Sequence, residues 1–301
     1  MTPHTRSHGH AMGYAALLVG LAGIAFSAIF VKLANVPGAP SGFYRMAIAA
    51  AVMVIPFGVH LRRGATLSKR HVGFAVLAGL FFAGDLATWN TAILIGSASN
   101  ATLFGNTSPL WVGIGAMLLF KEQLRPRFWI GMLISLTGAV VILGHDLITH
   151  PAIGRGDVLG LIAGVCYAMF FLATQRARDA LSSLSVWWIS SATCAVVLLM
   201  VGLLLKQPFS GYSTTSYAHL LTLALVVQVL GWMSISYALG HLPASLVSTT
   251  LLAQPVLTAI AAVPLLGESI STEQLAGGVL VLAGIYLVHR GKSSPQREGG
   301  T

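Results

Sequence analysis

Asp85 stands in the apolar run FFAGDLATWN, deeper inside a candidate membrane span than any other acid in the chain. Holding a carboxylate at that depth costs about 2.5–3.5 kcal/mol on insertion scales, so it should face the protein interior and find a partner. Thr88, Trp89 and Ala92 share its helical face, with Asn90 roughly a quarter-turn away. Such a face offers an aromatic wall with polar ends. Three uses are open: a ligand for a substrate or ion, a proton carrier, or a structural acid paired with Arg45, the basic residue inside the second span.

Pro109 and Pro255 are the second group. Proline has no amide donor, so the carbonyls of Gly105 and Leu251, each four residues earlier, lose their helix partners. Lipid cannot satisfy them, and these turns should face protein or a wet cavity. Asn106, Thr107 and Ser108 precede one proline and Gln254 the other. Matching helix breaks are the best sequence pointer to a transporter's site; a packing kink without ligand contact is the competing reading. Gln228, Trp232 and Ser236 fall four apart, on one helical face, with Tyr237 beside them. Phe26, Ser27 and Tyr167 hold equivalent places in the first and sixth spans. These aromatic stripes serve packing or ligand contact. The pair Trp187–Trp188 opens the seventh span and reads as an interfacial anchor. Cys166, Cys194 and the scattered histidines show no metal-ligand spacing, so no metal or cofactor is expected.

The elements that must position these residues follow from composition. Hydrophobic residues make up 55% of the 301 positions and charged residues 8%, far below the roughly 25% of a soluble domain. The outside must therefore face the lipid bilayer. Runs long enough to span, roughly 20 apolar residues, number about ten: 11–32, 42–61, 72–95, 98–120, 127–144, 156–175, 185–205, 216–239, 244–265 and 273–290. The fold expected is an all-α polytopic membrane protein. Basic residues exceed acids, 17 to 8. In this setting the excess sets orientation rather than nucleic-acid binding. With a cytoplasmic N-terminus, the inside segments hold Arg6, Arg62, Arg63, Lys69, Arg70, Lys121, Arg125, Arg127, Arg176, Arg178, Arg290, Lys292 and Arg297, and the outside segments only Lys32, Arg155 and Lys206. Both termini are expected inside.

The chain is also one unit written twice. At an offset of 146, without gaps, Ala98 falls on Ala244, Ser99 on Ser245, Pro109 on Pro255, Glu122 on Glu268, Gly131 on Gly277, Leu136 on Leu282 and Gly138 on Gly284. A weaker match at offset 141 sets GIAFSAIF (23–30) on GVCYAMFF (164–171), while the second and seventh spans align poorly. Five spans per copy is an odd number, so the copies sit in the membrane with opposite orientation. The expected division is a first repeat over 1–150 and a second over 151–301, the latter ending in a short polar tail. Gly160–Gly164 and Gly277/Gly278–Gly284 read as close helix contacts within the bundle, which is expected to work as a monomer.

Each copy shows a small-residue entry, a mid-helix proline, an acidic turn (Lys121–Glu122, Gly267–Glu268) and a glycine-rich helix. The pattern resembles the EamA-type unit of the drug/metabolite transporter superfamily, over about 13–145 and 156–290, and within it looks most like the bacterial aromatic amino-acid exporters. The resemblance implies ten helices, cytoplasmic termini and export of amino acids, aromatic or otherwise apolar, or related small metabolites. One departure is Thr91, which stands where the second copy carries Tyr237. The substrate set expected is Phe26, Ser27, Asp85, Thr88, Trp89, Asn106, Ser108, Tyr167, Gln228, Trp232, Ser236, Tyr237 and Gln254, with helix breaks at Gly105, Pro109, Leu251 and Pro255. A secondary transporter with a central cavity is the function expected. An intramembrane enzyme or a channel is the alternative, but no phosphate loop, HExxH or GxSxG is present, and Asp85 has no second acid at its depth.

Overall fold

The computed structural model describes residues 3–96, 98–143, 154–266 and 270–290. Most of the loop after the fifth span, the turn holding Glu268 and the polar tail lie outside the described residues. Among the described residues, ten helices are long and apolar enough to cross a membrane: α1 His10–Ala34, α2 Gly38–Arg62, α3 Lys69–Ile95, α4 Ser99–Phe120, α5 Pro126–Leu143, α6 Arg155–Arg178, α7 Ser183–Leu204, α8 Thr214–Ala238, α9 Ala244–Ala261 and α10 Thr272–Arg290. Large apolar side chains cover the outside, Leu204 being 79% exposed. A surface of this kind suits hydrocarbon and would aggregate in water.

Local chemistry ends these helices where the sequence changes. Asn35 takes a left-handed conformation, φ 49°, and closes α1 just before Pro37 leads into α2. Lys121, φ 55°, does the same for α4, and the Glu122 amide turns back to the Ala116 carbonyl at 3.2 Å. Ser182 and Ser213 cap α7 and α8 by accepting from the amides of Ser185 and Ser216.

The two halves approach backbone to backbone where α5 crosses α10. A Cβ added at Gly131 would lie 2.6 Å from the Gly284 carbonyl oxygen, and one at Gly138 would lie 2.6 Å from that of Gly277. The two contacts exchange under the 146-residue offset. Between them Ser135 Oγ donates to the carbonyl of Val281, its own repeat mate, at 3.1 Å. The repeat is thus written into the packing as a local two-fold axis. Gly138→Ala is expected to cost about 1–3 kcal/mol through overpacking, read as a lower melting temperature in detergent. An unchanged melting temperature would show that the crossing has slack.

α4 and α9 break at matched places. α4 runs as Ala98–Gly105 and Ser108–Phe120, and α9 as Ala244–Thr250, a 3₁₀ turn Leu251–Ala253, and Gln254–Leu266. Two further irregularities have no counterpart in the other half. α1 breaks between Ile24 and Ser27, whereas α6 is continuous; α8 is a π-helix over Leu223–Trp232, whereas α3 is regular.

Trp187 does not anchor an interface. It is fully buried, because the start of α7 turns inward onto a cluster of Phe82, Phe170 and Trp232, with ring centroids 5.8, 6.4 and 6.2 Å away. Trp188 stacks on Phe57 at 4.3 Å and donates to the Ala50 carbonyl at 3.1 Å.

Candidate functional site

A small cavity of about 60 Å³ lies at the centre of the bundle, room for about four waters. Its walls are Ile24 and Ser27 of α1, Arg45 of α2, Phe82, Asp85, Leu86 and Trp89 of α3, Thr102, Gly105 and Asn106 of α4, Tyr167 of α6, Trp232 of α8 and Gln254 of α9. Thr102 and Gln254 also line a vestibule of about 360 Å³ together with Ala28, Ile29, Lys32, Leu33, Ser99, Ile142, Leu143, Pro255, Thr258, Ala259 and Gln274. Lys32, Leu33, Ser99, Leu143 and Gln274 sit at span ends on the side away from the termini, so the vestibule opens there.

The broken helices build the cavity rim. The α1 break frees the carbonyls of Ile24 and Ala25, and α9 takes both: Gln254 Nε2 donates to Ile24 at 3.2 Å and Thr258 Oγ1 to Ala25 at 2.7 Å. In α4 the Asn106 amide still reaches the Thr102 carbonyl at 2.9 Å, but the Thr107 amide tightens to Phe104 at 3.1 Å. That turn aims Asn106 at the cavity, where its Nδ2 has no acceptor.

Arg45 is the residue that sequence reasoning placed only as a possible partner of Asp85. It is 1% exposed. Its Nη2 donates to Ser27 Oγ at 3.2 Å, and the Gln228 amide, with its oxygen turned to the guanidinium, accepts from Nε at 2.6 Å and from Nη2 at 3.1 Å. The wider π-helical turn of α8 carries Gln228 to that position. Nη1 has no acceptor. Asp85 lines the same cavity, makes no direct ion pair with Arg45 and has no side-chain partner among the described residues. A lone arginine inside a span was the available signal for this role; Phe82 and Thr102 carried none.

The cavity therefore collects Ser27, Asp85, Trp89, Gly105, Asn106, Tyr167, Trp232 and Gln254 from the expected set. The others lie elsewhere. Thr88 is bonded to its own helix, at the carbonyls of Gly84 (2.7 Å) and Asp85 (3.2 Å). Gln228 stands behind Arg45. Phe26 lies against Phe30, 6.3 Å between centroids. Ser236 is buried near the terminus end, its carbonyl accepting from Arg178 Nε at 3.0 Å, and Tyr237 stacks on His241 at 4.4 Å. Ser108, Pro109 and Leu251 are buried away from the cavity, and Pro255 lines the vestibule.

Toward the termini a hydrogen bond joins the halves, Glu122 Oε2 accepting from Ser245 Oγ at 2.7 Å. Within the second half Gln175 Oε1 accepts from the Ala244 amide at 2.7 Å, and Thr250 Oγ1 meets His289 Nε2 at 3.0 Å. Arg176 donates to the Leu119 carbonyl at 2.9 Å and lies over the Phe120 ring at 4.4 Å.

The family described as the EamA-like transporter family matches residues 11–144 and 154–290. The chain is 29% identical over 187 residues to a probable amino-acid metabolite efflux pump of Salmonella typhimurium, covering 58% of this chain and 62% of that protein. It is 24% identical over 283 residues to a probable terminal-alkyne amino-acid exporter of Streptantibioticus cattleyicolor, covering 92% of each. An uncharacterized transporter of Clostridium kluyveri is 22% identical over 264 residues, 84% of this chain and 85% of that one. A solved crystal structure superposes with a TM-score of 0.75 at 19% identity, covering 94% of this chain and 98% of its own, a likeness of fold.

Proposed function

The chain belongs to the EamA-like transporter family, and from that premise we propose that it is a secondary exporter of amino acids, apolar or aromatic ones first, that works by alternating access. It is a membrane transporter of the EamA type. Relatives named as an amino-acid metabolite efflux pump and an amino-acid exporter support the cargo. So does a central cavity that joins charged groups to aromatic walls.

The observation that carries the cycle is a mismatch between repeat mates. Thr102, Gln254 and Thr258 line the open vestibule and are partly exposed, whereas their mates at the 146-residue offset, Ser248, Ser108 and Val112, are buried. The same positions are open in one half and closed in the other. Exchanging the two arrangements would close the vestibule and open its mirror image toward the termini. In this scheme the halves 1–150 and 151–301 are the moving units, the breaks at Pro109 and Pro255 their joints, and a single chain suffices.

Counterflow of radiolabelled amino acids into proteoliposomes tests the cargo. Saturable exchange of leucine or phenylalanine is the expected result, and exchange confined to non-amino-acid metabolites would exclude it. We place both termini in the cytoplasm of a bacterial inner membrane. A cysteine at Ser68, in a chain lacking Cys166 and Cys194, should react with an impermeant maleimide only after the membrane is opened. Labelling in intact spheroplasts would reverse the orientation.

A further inference from the structure

We infer that Arg45 and Asp85 are the two poles of a zwitterion site: the guanidinium takes the carboxylate of an α-amino acid and Asp85 takes its ammonium group. The inference rests on amino-acid export as proposed above and assigns the residues that read the head group.

Among the described residues, unpaired donors and a carboxylate face the same cavity. Ser27 and Gln228 occupy Nε and Nη2 of Arg45 and fix the plane of the guanidinium, leaving Nη1 without an acceptor in a side chain that is 1% exposed. Asn106 Nδ2, also lining the cavity, is a second buried donor without an acceptor. Leaving such groups unpaired is expensive, more so for a charged donor. Asp85 could have relieved Arg45 by direct contact, yet among the described residues it makes no hydrogen bond and no close ion pair, and the two charges act on each other only through space. The guanidinium is instead held by neutral oxygens. Its charge remains for a ligand, and the two N–H groups of Nη1 are left to meet a carboxylate oxygen. An α-amino acid supplies both missing partners at once, joined through one carbon.

Cavity size divides the recognition. About 60 Å³ holds a head group in place of a few waters, and not a large side chain. The continuation past Thr102 and Gln254 leads into about 360 Å³ bordered by Ala28, Ile29, Leu33 and Ile142. The site thus reads the amino-acid head strictly and the side chain loosely, as a wide apolar volume.

Proteoliposomes carrying the full chain test this with radiolabelled L-leucine and L-phenylalanine, challenged by their amides, which lack the carboxylate, and their N-acetyl derivatives, which lack the ammonium. In the wild type each amino acid should compete at least about tenfold better than either analogue. Arg45→Gln should erase the preference over the amide and keep that over the N-acetyl compound. Asp85→Asn should do the reverse. Arg45→Lys, which keeps the charge but not the Nη1 donors held in place by Ser27 and Gln228, should still favour the amino acid but bind it more weakly. If the wild type takes the amide as well as the amino acid, the assignment is overturned without any variant having to fold. It is equally overturned if folded Arg45→Gln keeps the wild-type ranking; in both cases amino-acid export stands. If the wild type carries neither amino acid, apolar amino-acid export is excluded and this site falls with it.

Discussion

Trp232→Ala is expected to lower stability by about 3–5 kcal/mol, whereas Trp89→Ala should leave the fold nearly intact and slow transport. The two tryptophans line the same cavity but stand differently in the core. Trp232 is 5% exposed and packs against Phe82, Tyr167 and Phe170 at 5.0, 5.5 and 5.3 Å, with Trp187 stacked beyond at 6.2 Å. Its removal opens a void among rings that cannot collapse together. Trp89 is half-buried, and its indole borders the cavity beside Gly105. An aromatic contact with cargo is worth about 0.5–1.5 kcal/mol, or about two- to tenfold in transport. Thermal melting in detergent beside initial uptake in proteoliposomes separates the two effects. Equal loss of melting temperature in both variants would make Trp89 a packing residue and nothing more.

Ser245→Ala should shift the protein toward the state open at its terminus end. The hydroxyl donates to Glu122 at 2.7 Å, across the seam that closes this end. A hydrogen bond to a carboxylate contributes about 1.5–3 kcal/mol when buried. Here, with Glu122 partly exposed, about 1 kcal/mol is the fair figure, a shift of about fivefold in population. A cysteine at Ser248 reports it. Ser248 is 2% exposed, while its repeat mate Thr102 faces the vestibule. Labelling from the terminus side should rise about fivefold on the Ser245→Ala background, while a cysteine at Ser99 becomes less reactive from the far side. With the same probes, Pro109→Ala and Pro255→Ala should move the balance in opposite directions, because their breaks belong to inverted copies. Shifts in the same direction, or none, would rule out paired joints.

Much of the scaffold was legible in the sequence because hydrocarbon imposes a length on every apolar run. The ten spans fall within a few residues of their expected limits, and glycine and proline matches at a fixed offset announced the inverted copies. The site was legible only by position. Helical spacing put Thr88 beside Asp85, but could not show that its hydroxyl bonds to its own helix. Ser108 was expected at the cavity because Pro109 follows it, but it is buried, 2% exposed, while its repeat mate Gln254 lines the cavity; the repeat gives both the same place and carries no sign of which of the two will face it. Arg45 was visible as a charge within a span, yet its binding to Gln228 depends on a π-helical turn in α8 that hydropathy does not encode. Trp187 looked like an anchor from its place at a span end, since burial at an end depends on tilt, which is set by neighbouring helices rather than by the run itself.

The scaffold repeats, but the charges do not. At the offset that matches the prolines, Asp85 meets Gly231 and Arg45 meets Ser191. A carrier made of two identical halves would offer its cargo the same grip from either face of the membrane. Arg45 and Asp85 both ride on the first half, and if access alternates as proposed, the same two charges are approached through different surroundings. Half-saturation can therefore differ between the two faces even though the frame is two-fold. Without a coupled ion such a difference cannot drive cargo uphill, because the product of the steps around the cycle is fixed at equal concentrations. What it can set is tempo: on which side the carrier waits empty, and from which side it fills at low concentration.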